Sequence, residues 1–296
     1  MAGDRDLAGD LVAGELTVGG RERRFALRLP RSADADGEIP LVLVLHGNHP
    51  DANGGMMRAW TTFDQQADAA GFAVAYPDGY GGSWADGRGV TTADEACVDD
   101  VAFLRAIIDW SAERHRTFPD RAVVAGMSNG AFMAHRMALD ASDQVAVLAA
   151  VAGGLPASLR DVRPVHAVSA VLIHGTADAF SPIVGGYSRH RGPNGELRGR
   201  TLSLDETAAF WRTVDRCPPG PGDTRTTGIS SRNTAEGGVG GTRVVAWTVF
   251  GGGHTWPGSA PIPGHPELTT REFDAAEEIC RFAAPLLASA DTRRLR

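Results

Sequence analysis

The chain has 296 residues, 43% of them hydrophobic and 22% charged, with a formal net charge of −7. That is enough apolar material to bury one large α/β core or two small ones, and the acidic balance offers no electrostatic reason to hold nucleic acid or an anionic membrane surface. No apolar run reaches the roughly 18 residues that a transmembrane helix needs. Three cysteines, Cys97, Cys217 and Cys280, are too few for a disulfide framework, and none has the CxxC spacing of a zinc site; a single bridge among them stays open. The stretch "MAGDRDLAGDLVAGELTVGG" carries acids early and lacks a basic segment followed by an apolar one, so as it stands it is not read as a secretory leader.

Taken in chain order, residues 14–30 read as a hairpin, two alternating segments around Gly19-Gly20. "IPLVLVLHG" (39–47) is a short continuous apolar run closed by glycine, as expected of a strand buried on both faces. "GFAVAYPDG" (71–79) repeats the pattern and ends in turn chemistry. Residues 99–115 show helical periodicity through Val101, Leu104, Ile107, Ile108 and Ala112, opened by two aspartates where the helix dipole favours negative charge. Buried strands follow at 120–126, 145–154 and 169–175, and helices are expected at 129–140, 205–216 and 270–287. Residues 183–202 and 217–241, rich in Gly, Arg, Pro and Thr, read as surface excursions. Strands alternating with helices predict a mostly parallel central sheet with helices on both faces and the N-terminal hairpin as an antiparallel edge. The expected organisation is a tail over 1–13, one catalytic domain over 14–287 and a tail over 288–296.

The stretch "VVAGMSNGAFMA" (123–134) places Ser128 between Gly126 and Gly130, after a strand and before a helix. Chance gives roughly 0.2 matches to G-x-S-x-G in a chain of this composition, so the pattern alone is not decisive. Its setting is that of a nucleophile elbow, where the turn is tight and side chains at the glycines would strike the neighbouring strand and helix. An N-cap role would account for Ser128 but not for its two glycines. The positive end of the following helix also favours charge developing beside the serine.

A nucleophilic serine needs a base and an orienting acid, which follow it in that fold in the order Ser, acid, His. His190, His254 and His265 lie well downstream. His254, in "TVFGGGHTWPG", leaves an apolar strand through a glycine triplet that can carry the imidazole back over Ser128. Asp178 lies three residues beyond Gly175 at the end of a buried strand, placed to accept from the imidazole Nδ1–H. Asp140, Asp143 and Asp161 precede that strand; Asp205 and Asp215 fall in a helical segment and are read as facing solvent. Oxyanion donors are expected from the backbone N–H of Asn129 and of Asn48, with His46 a structural residue that binds the loop backbone.

Together "PLVLVLHG", "FAVAYPDGYGGSW", "VDDVAFLRAIID", "AGMSNGAFMAHRMA", "VLIHGTAD" and "GGGHTWPG" resemble the polyhydroxybutyrate depolymerase / feruloyl esterase (LpqC-like) branch of the α/β-hydrolases, over about residues 15–285. The resemblance implies Ser128 as nucleophile, Asp178 as acid and His254 as base, the same residues chosen above. It also implies secretion for many relatives. The chain departs from the pattern in "HGNHPDANGG", with its extra histidine and proline, and at Ala179-Phe180.

The expected activity is hydrolysis of a carboxylic ester through an acyl-enzyme, on hydroxyalkanoate oligomers, feruloyl or acetyl esters, or short-chain esters. No metal and no organic cofactor is expected. The expected partner is a small or oligomeric ester, with no nucleic acid and no membrane; the oligomeric state stays open. Acyl transfer on the same scaffold and a non-catalytic binding protein of hydrolase fold are the alternatives. Trp84 and Trp256 lie in loops at the carboxyl ends of strands, where open α/β sheets hold ligands, and both are expected to wall the substrate cleft.

Overall fold

The computed structural model describes residues 11–31, 38–189, 191, 195, 197–260 and 267–288. In chain order the elements are β1 (Leu11–Val18), β2 (Arg21–Arg28), β3 (Leu41–Leu45), α1 (Gly54–Trp60), α2 (Phe63–Ala70), β4 (Ala73–Pro77), α3 (Thr92–Glu95), α4 (Asp100–His115), β5 (Ala122–Met127), α5 (Asn129–Asp140), β6 (Val145–Val151), β7 (Ser169–Gly175), β8 (Gly186–Tyr187), β9 (Arg200–Thr201), α6 (Leu204–Val214), β10 (Asp223–Thr227), β11 (Ser230–Ala235), β12 (Val244–Val249) and α7 (Ala275–Leu287).

One sheet runs β1-β2-β4-β3-β5-β6-β7-β12-β11-β10, with β8 and β9 paired apart from it. The strands from β4 to β12 in that order pair in parallel, and both flanks are antiparallel. Helices cover both faces because β3 to β7 are predominantly apolar and buried at every position. In β3, Leu41, Leu43 and Leu45 point to one core, with Phe103 and Ile107 of α4, Met137 of α5 and Trp211 of α6. Val42 and Val44 point to the other, with Met57 of α1, Phe63 of α2 and Ile279 and Phe282 of α7. Period-two alternation thus feeds two layers at once.

Several expectations shift. The first strand begins at Leu11, so residues 11–13 belong to the sheet and not to a tail. Residues 217–241 are not merely an excursion: β10 and β11 extend the sheet beyond β12. Thr, Arg, Ser and Asn fill these strands, and β10 is exposed along its length, so no apolar alternation marked them. Asp215 does not face solvent. It is fully buried, and its carboxylate accepts from the Val168 N–H at 2.9 Å. The cysteines are all free thiols.

The two aspartates before α4 have separate tasks. Asp99 caps the helix, accepting from the Ala102 N–H at 2.9 Å. Asp100 is buried and pairs with Arg23 of β2 at 2.7 Å, while its second oxygen accepts from the Ala85 N–H at 2.7 Å. A buried ion pair of this kind is a poor source of stability, but removing one partner strands a charge, so it fixes the loop around Ala85 relative to the hairpin.

Fully buried His135 of α5 accepts a hydrogen bond from the Trp211 indole at 3.1 Å, and burial pushes its pKa down to about 3. The unfolded chain therefore binds a proton here that the folded one refuses. The stabilisation is complete above the unfolded value near 6.5 and is lost as pH falls toward about 3, with a slope of up to about 1.4 kcal/mol per pH unit. Urea unfolding between pH 7 and pH 4 should show His135→Gln with a shallower loss of stability than wild type, by about one proton. Parallel curves would assign the acid sensitivity to other groups.

Candidate active site

Ser128 sits between β5 and α5 at φ 56°, ψ −117°, a conformation unfavourable for a residue with a side chain. The turn is held from both sides: the Ser128 N–H donates to the Val151 carbonyl at 2.9 Å, and its own carbonyl accepts from the Phe132 N–H at 3.0 Å. The flanking glycines are sterically required. A Cβ on Gly126 would lie 2.3 Å from the Gly130 backbone, and one on Gly130 would lie 2.3 Å from the Leu45 carbonyl oxygen. Helix α5 therefore begins in direct contact with β3 and β5, and Ser128 stands at its N-terminus.

Asp178 and His254 come together although 76 positions separate them. The Nδ1–H of His254 donates to Asp178 Oδ2 at 2.8 Å. Asp178 is buried, 3% exposed. Its Oδ1 accepts from the Phe180 and Ser181 N–H groups, both at 2.8 Å. The Nε2 of His174 lies 3.3 Å from Oδ2 and 2.8 Å from the Ser181 carbonyl, so it carries a proton. Burial by itself would raise the carboxyl pKa. The hydrogen bonds from His174 and His254 outweigh it and hold Asp178 well below the usual carboxylate range. Asp178 is therefore ionised, and its Oδ2 holds a His254 proton on Nδ1. The His254 N–H donates to Glu267 at 2.5 Å, and Phe180 meets the imidazole edge-on at 5.3 Å.

Ser128, His254, Asn129 and Asn48 line one cavity of about 180 Å³. Asp178 stands behind His254. Asn129 is buried, and its side chain is fully engaged: Oδ1 accepts from the Trp84 N–H at 2.7 Å, and Nδ2 donates to the Trp84 carbonyl at 3.1 Å and to Asp86 at 2.6 Å. Its backbone N–H is the first of α5, where no intrahelical acceptor exists. His46 bonds the loop backbone as expected, donating from Nδ1 to the Gly47 carbonyl and accepting at Nε2 from the Gly79 N–H, both at 2.8 Å. Burial lowers its pKa, keeping it neutral in that role.

The two tryptophans are not cleft walls. Both are 0% exposed. Trp84 lies under the His46–Asn48 loop, its indole N–H donating to the His46 carbonyl at 2.9 Å. Trp256 packs on Phe63 in the opposite core. Each loop does run past the sheet's carboxyl edge, but the large apolar ring gains more from full burial than from lining a partly wet cavity. Residues that do line it include Arg88, Phe132 and Arg198, which nothing in the sequence marked, and Phe180, noted only as a departure from the family pattern. His174 could have been noticed as a polar residue ending the apolar run "SAVLIHG". His190 and His265 lie outside the described residues. Among the described residues no group of three or more His, Cys, Asp or Glu could hold a metal ion, and no helix is long and apolar enough to cross a membrane.

A mostly parallel sheet with a strand–Gly-x-Ser-x-Gly–helix turn is the arrangement of an α/β-hydrolase. Residues 23–171 match the family described as esterase PHB depolymerase. The chain is 34% identical over 288 residues to the "Putative esterase NocK" of Nocardia uniformis subsp. tsuyamanensis, across 92% of this chain and 82% of that protein. It is 28% identical over 143 residues to the bifunctional acetylxylan esterase/xylanase XynS20E of Neocallimastix patriciarum, across 47% of this chain and 19% of that one. Among solved structures, the acetyl xylan esterase from Aspergillus awamori shares the fold with a TM-score of 0.55 at 14% identity, over 86% of this chain and 96% of that chain. The chain belongs to the esterase PHB depolymerase family and is a carboxylic ester hydrolase.

Because Trp84 supports the loop from beneath, Trp84→Ala should lower kcat/KM for small and bulky esters by the same factor and lower Tm, with a loss of about 3–5 kcal/mol. Steady-state kinetics on p-nitrophenyl acetate and on a bulky ester, with thermal melts, check this. A loss confined to the bulky ester would return the indole to the substrate site.

Proposed function

We propose that the protein hydrolyses short-acyl carboxylic esters through a Ser128 acyl-enzyme, with His254 as the base and Asp178 as its orienting acid. The observation that carries the reading is the 2.8 Å bond from His254 Nδ1 to an ionised, buried Asp178, on an imidazole that shares a cavity with an elbow serine. In this reading His254 Nε2 takes the Ser128 proton as Oγ attacks the ester carbonyl. Asp178 holds the tautomer and stabilises the imidazolium. The Asn129 and Asn48 N–H groups receive the oxyanion, helped by the positive end of α5. The imidazolium then protonates the leaving alcohol, and a water activated the same way releases the acid.

Cavity size supports a small acyl group. About 180 Å³ beside Ser128 is room for an acetyl, butyryl or single hydroxyacyl unit. Reaction with a fluorophosphonate probe at Ser128, followed by a panel of p-nitrophenyl esters, methyl ferulate, acetylated xylan and hydroxybutyrate oligomers, tests the reading.

Ser128→Ala should reduce kcat by a factor on the order of 10⁴ or more with the fold retained, and Asp178→Asn should reduce it comparably with little change in KM. In Asp178→Asn an amide N–H replaces the oxygen that both His174 and His254 face, so a donor meets donors. A tenth of wild-type kcat in either variant would remove that residue from its role. On the ester panel, kcat/KM should peak at short acyl chains and fall at least tenfold by the lauroyl ester. A rise toward lauroyl would contradict the small acyl site.

A further inference from the structure

The chain carries a net charge of −7, yet the cavity at Ser128 is lined by two arginines and no carboxylate among the described residues. The two are not equivalent. Arg88 is neutralised: Nε and NH2 both meet the Asp86 carboxylate, at 3.0 and 2.7 Å, and its guanidinium lies 4.0 Å above the Phe132 ring. Arg198 has no acidic partner among the described residues, and its recorded hydrogen bond is a long one, 3.5 Å to the Val90 carbonyl.

The loop that carries Arg198 is built to sit against Arg88. Gly199 has φ +35°, and a Cβ there would lie 2.7 Å from Cβ and Cδ of Arg88. Any other residue there would strain the backbone and force the loop or the Arg88 stem to shift. Behind it, β9 is anchored by the Leu202 N–H, which donates to the Leu155 carbonyl at 2.8 Å. A half-buried guanidinium with no anionic partner among the described residues, held at a cavity that contains the reacting serine, is a waiting anion site. Arg offers a planar donor fork that matches a carboxylate.

We propose that Arg198 selects esters that carry a free carboxylate, bound beside the ester carbonyl that Ser128 attacks. The proposal rests on the reading of Ser128 as nucleophile and deepens it by naming the substrate class: hemiesters of dicarboxylic acids, or esters whose alcohol portion bears a carboxylate. Asp86 fixes Arg88 in place and cancels its charge, so the anion-reading task falls to Arg198.

The test uses two matched pairs of substrates. Mono-p-nitrophenyl adipate against p-nitrophenyl hexanoate places the carboxylate on the acyl side. 4-Acetoxybenzoate against 4-acetoxybenzamide places it on the alcohol side. For at least one pair, wild type should prefer the anionic member, and Arg198→Gln should cut the anionic-to-neutral ratio of kcat/KM on the order of tenfold or more. Arg198→Lys should restore part of it. Rising salt should lower the anionic ester's kcat/KM and not the neutral one's. If Arg198→Gln leaves both ratios within twofold of wild type, or wild type prefers the neutral member of both pairs, the proposal is overturned. Failure of the nucleophile reading shows separately: Ser128→Ala would then cleave all four esters at near wild-type rates, whatever the ratios.

Discussion

The structure depends on the close approach of one helix end to two strands. Gly130 lies against the Leu45 carbonyl and Gly126 against Gly130, with no room for a methyl group at either. That contact forces Ser128 into a backbone conformation that L-residues avoid, at a cost of order 1–3 kcal/mol. Burial of nearly all of α5 between β5, β6 and the outer helices offsets the strain. In return the serine is lifted to the cavity wall, with the positive end of the helix beneath it.

From that point a chain of polar contacts runs outward through the His46–Asn48 loop. Asn129 clamps both backbone groups of Trp84, Trp84 supports the His46 carbonyl, and His46 ties Gly47 to Gly79. The same loop is held from the far side through Ala85, Asp100 and Arg23. The side chains of Asn129, Trp84, His46, Asp100 and Arg23 are buried, so breaking one of their bonds leaves an unpaired polar atom in a low-dielectric setting. Such networks are rigid for that reason. On the proposed mechanism the donors that receive developing charge must not have to reorganise, and this loop has little freedom to do so.

On the other side the arrangement is electrostatic. Asp178 is stripped of water yet stays ionised because four N–H groups converge on it, from His254, His174, Phe180 and Ser181. His174 is the least obvious of these. It occupies the end of a core strand, and its role becomes visible only when the loop after β7 folds back over it.

The sequence by itself determined the layered sheet, most element positions and the pairing of Ser128, Asp178 and His254 as candidates. Those rest on short-range physics: apolar runs, helical periodicity, glycines at a tight turn, and the order of polar residues after strands. It did not reveal β10 and β11, polar strands in which no apolar alternation marks a core face: β10 is the exposed edge and β11 is buried only at its two ends. It misplaced Trp84, Trp256 and Asp215, because whether a loop or helix-end side chain turns inward depends on what lies beneath it. Arg88 and Arg198 were silent for the same reason. They are 110 positions apart, and only the packing of Gly199 on the Arg88 stem brings them to one cavity. Local pattern decides which elements form; the fit between distant surfaces decides which side chains meet a substrate.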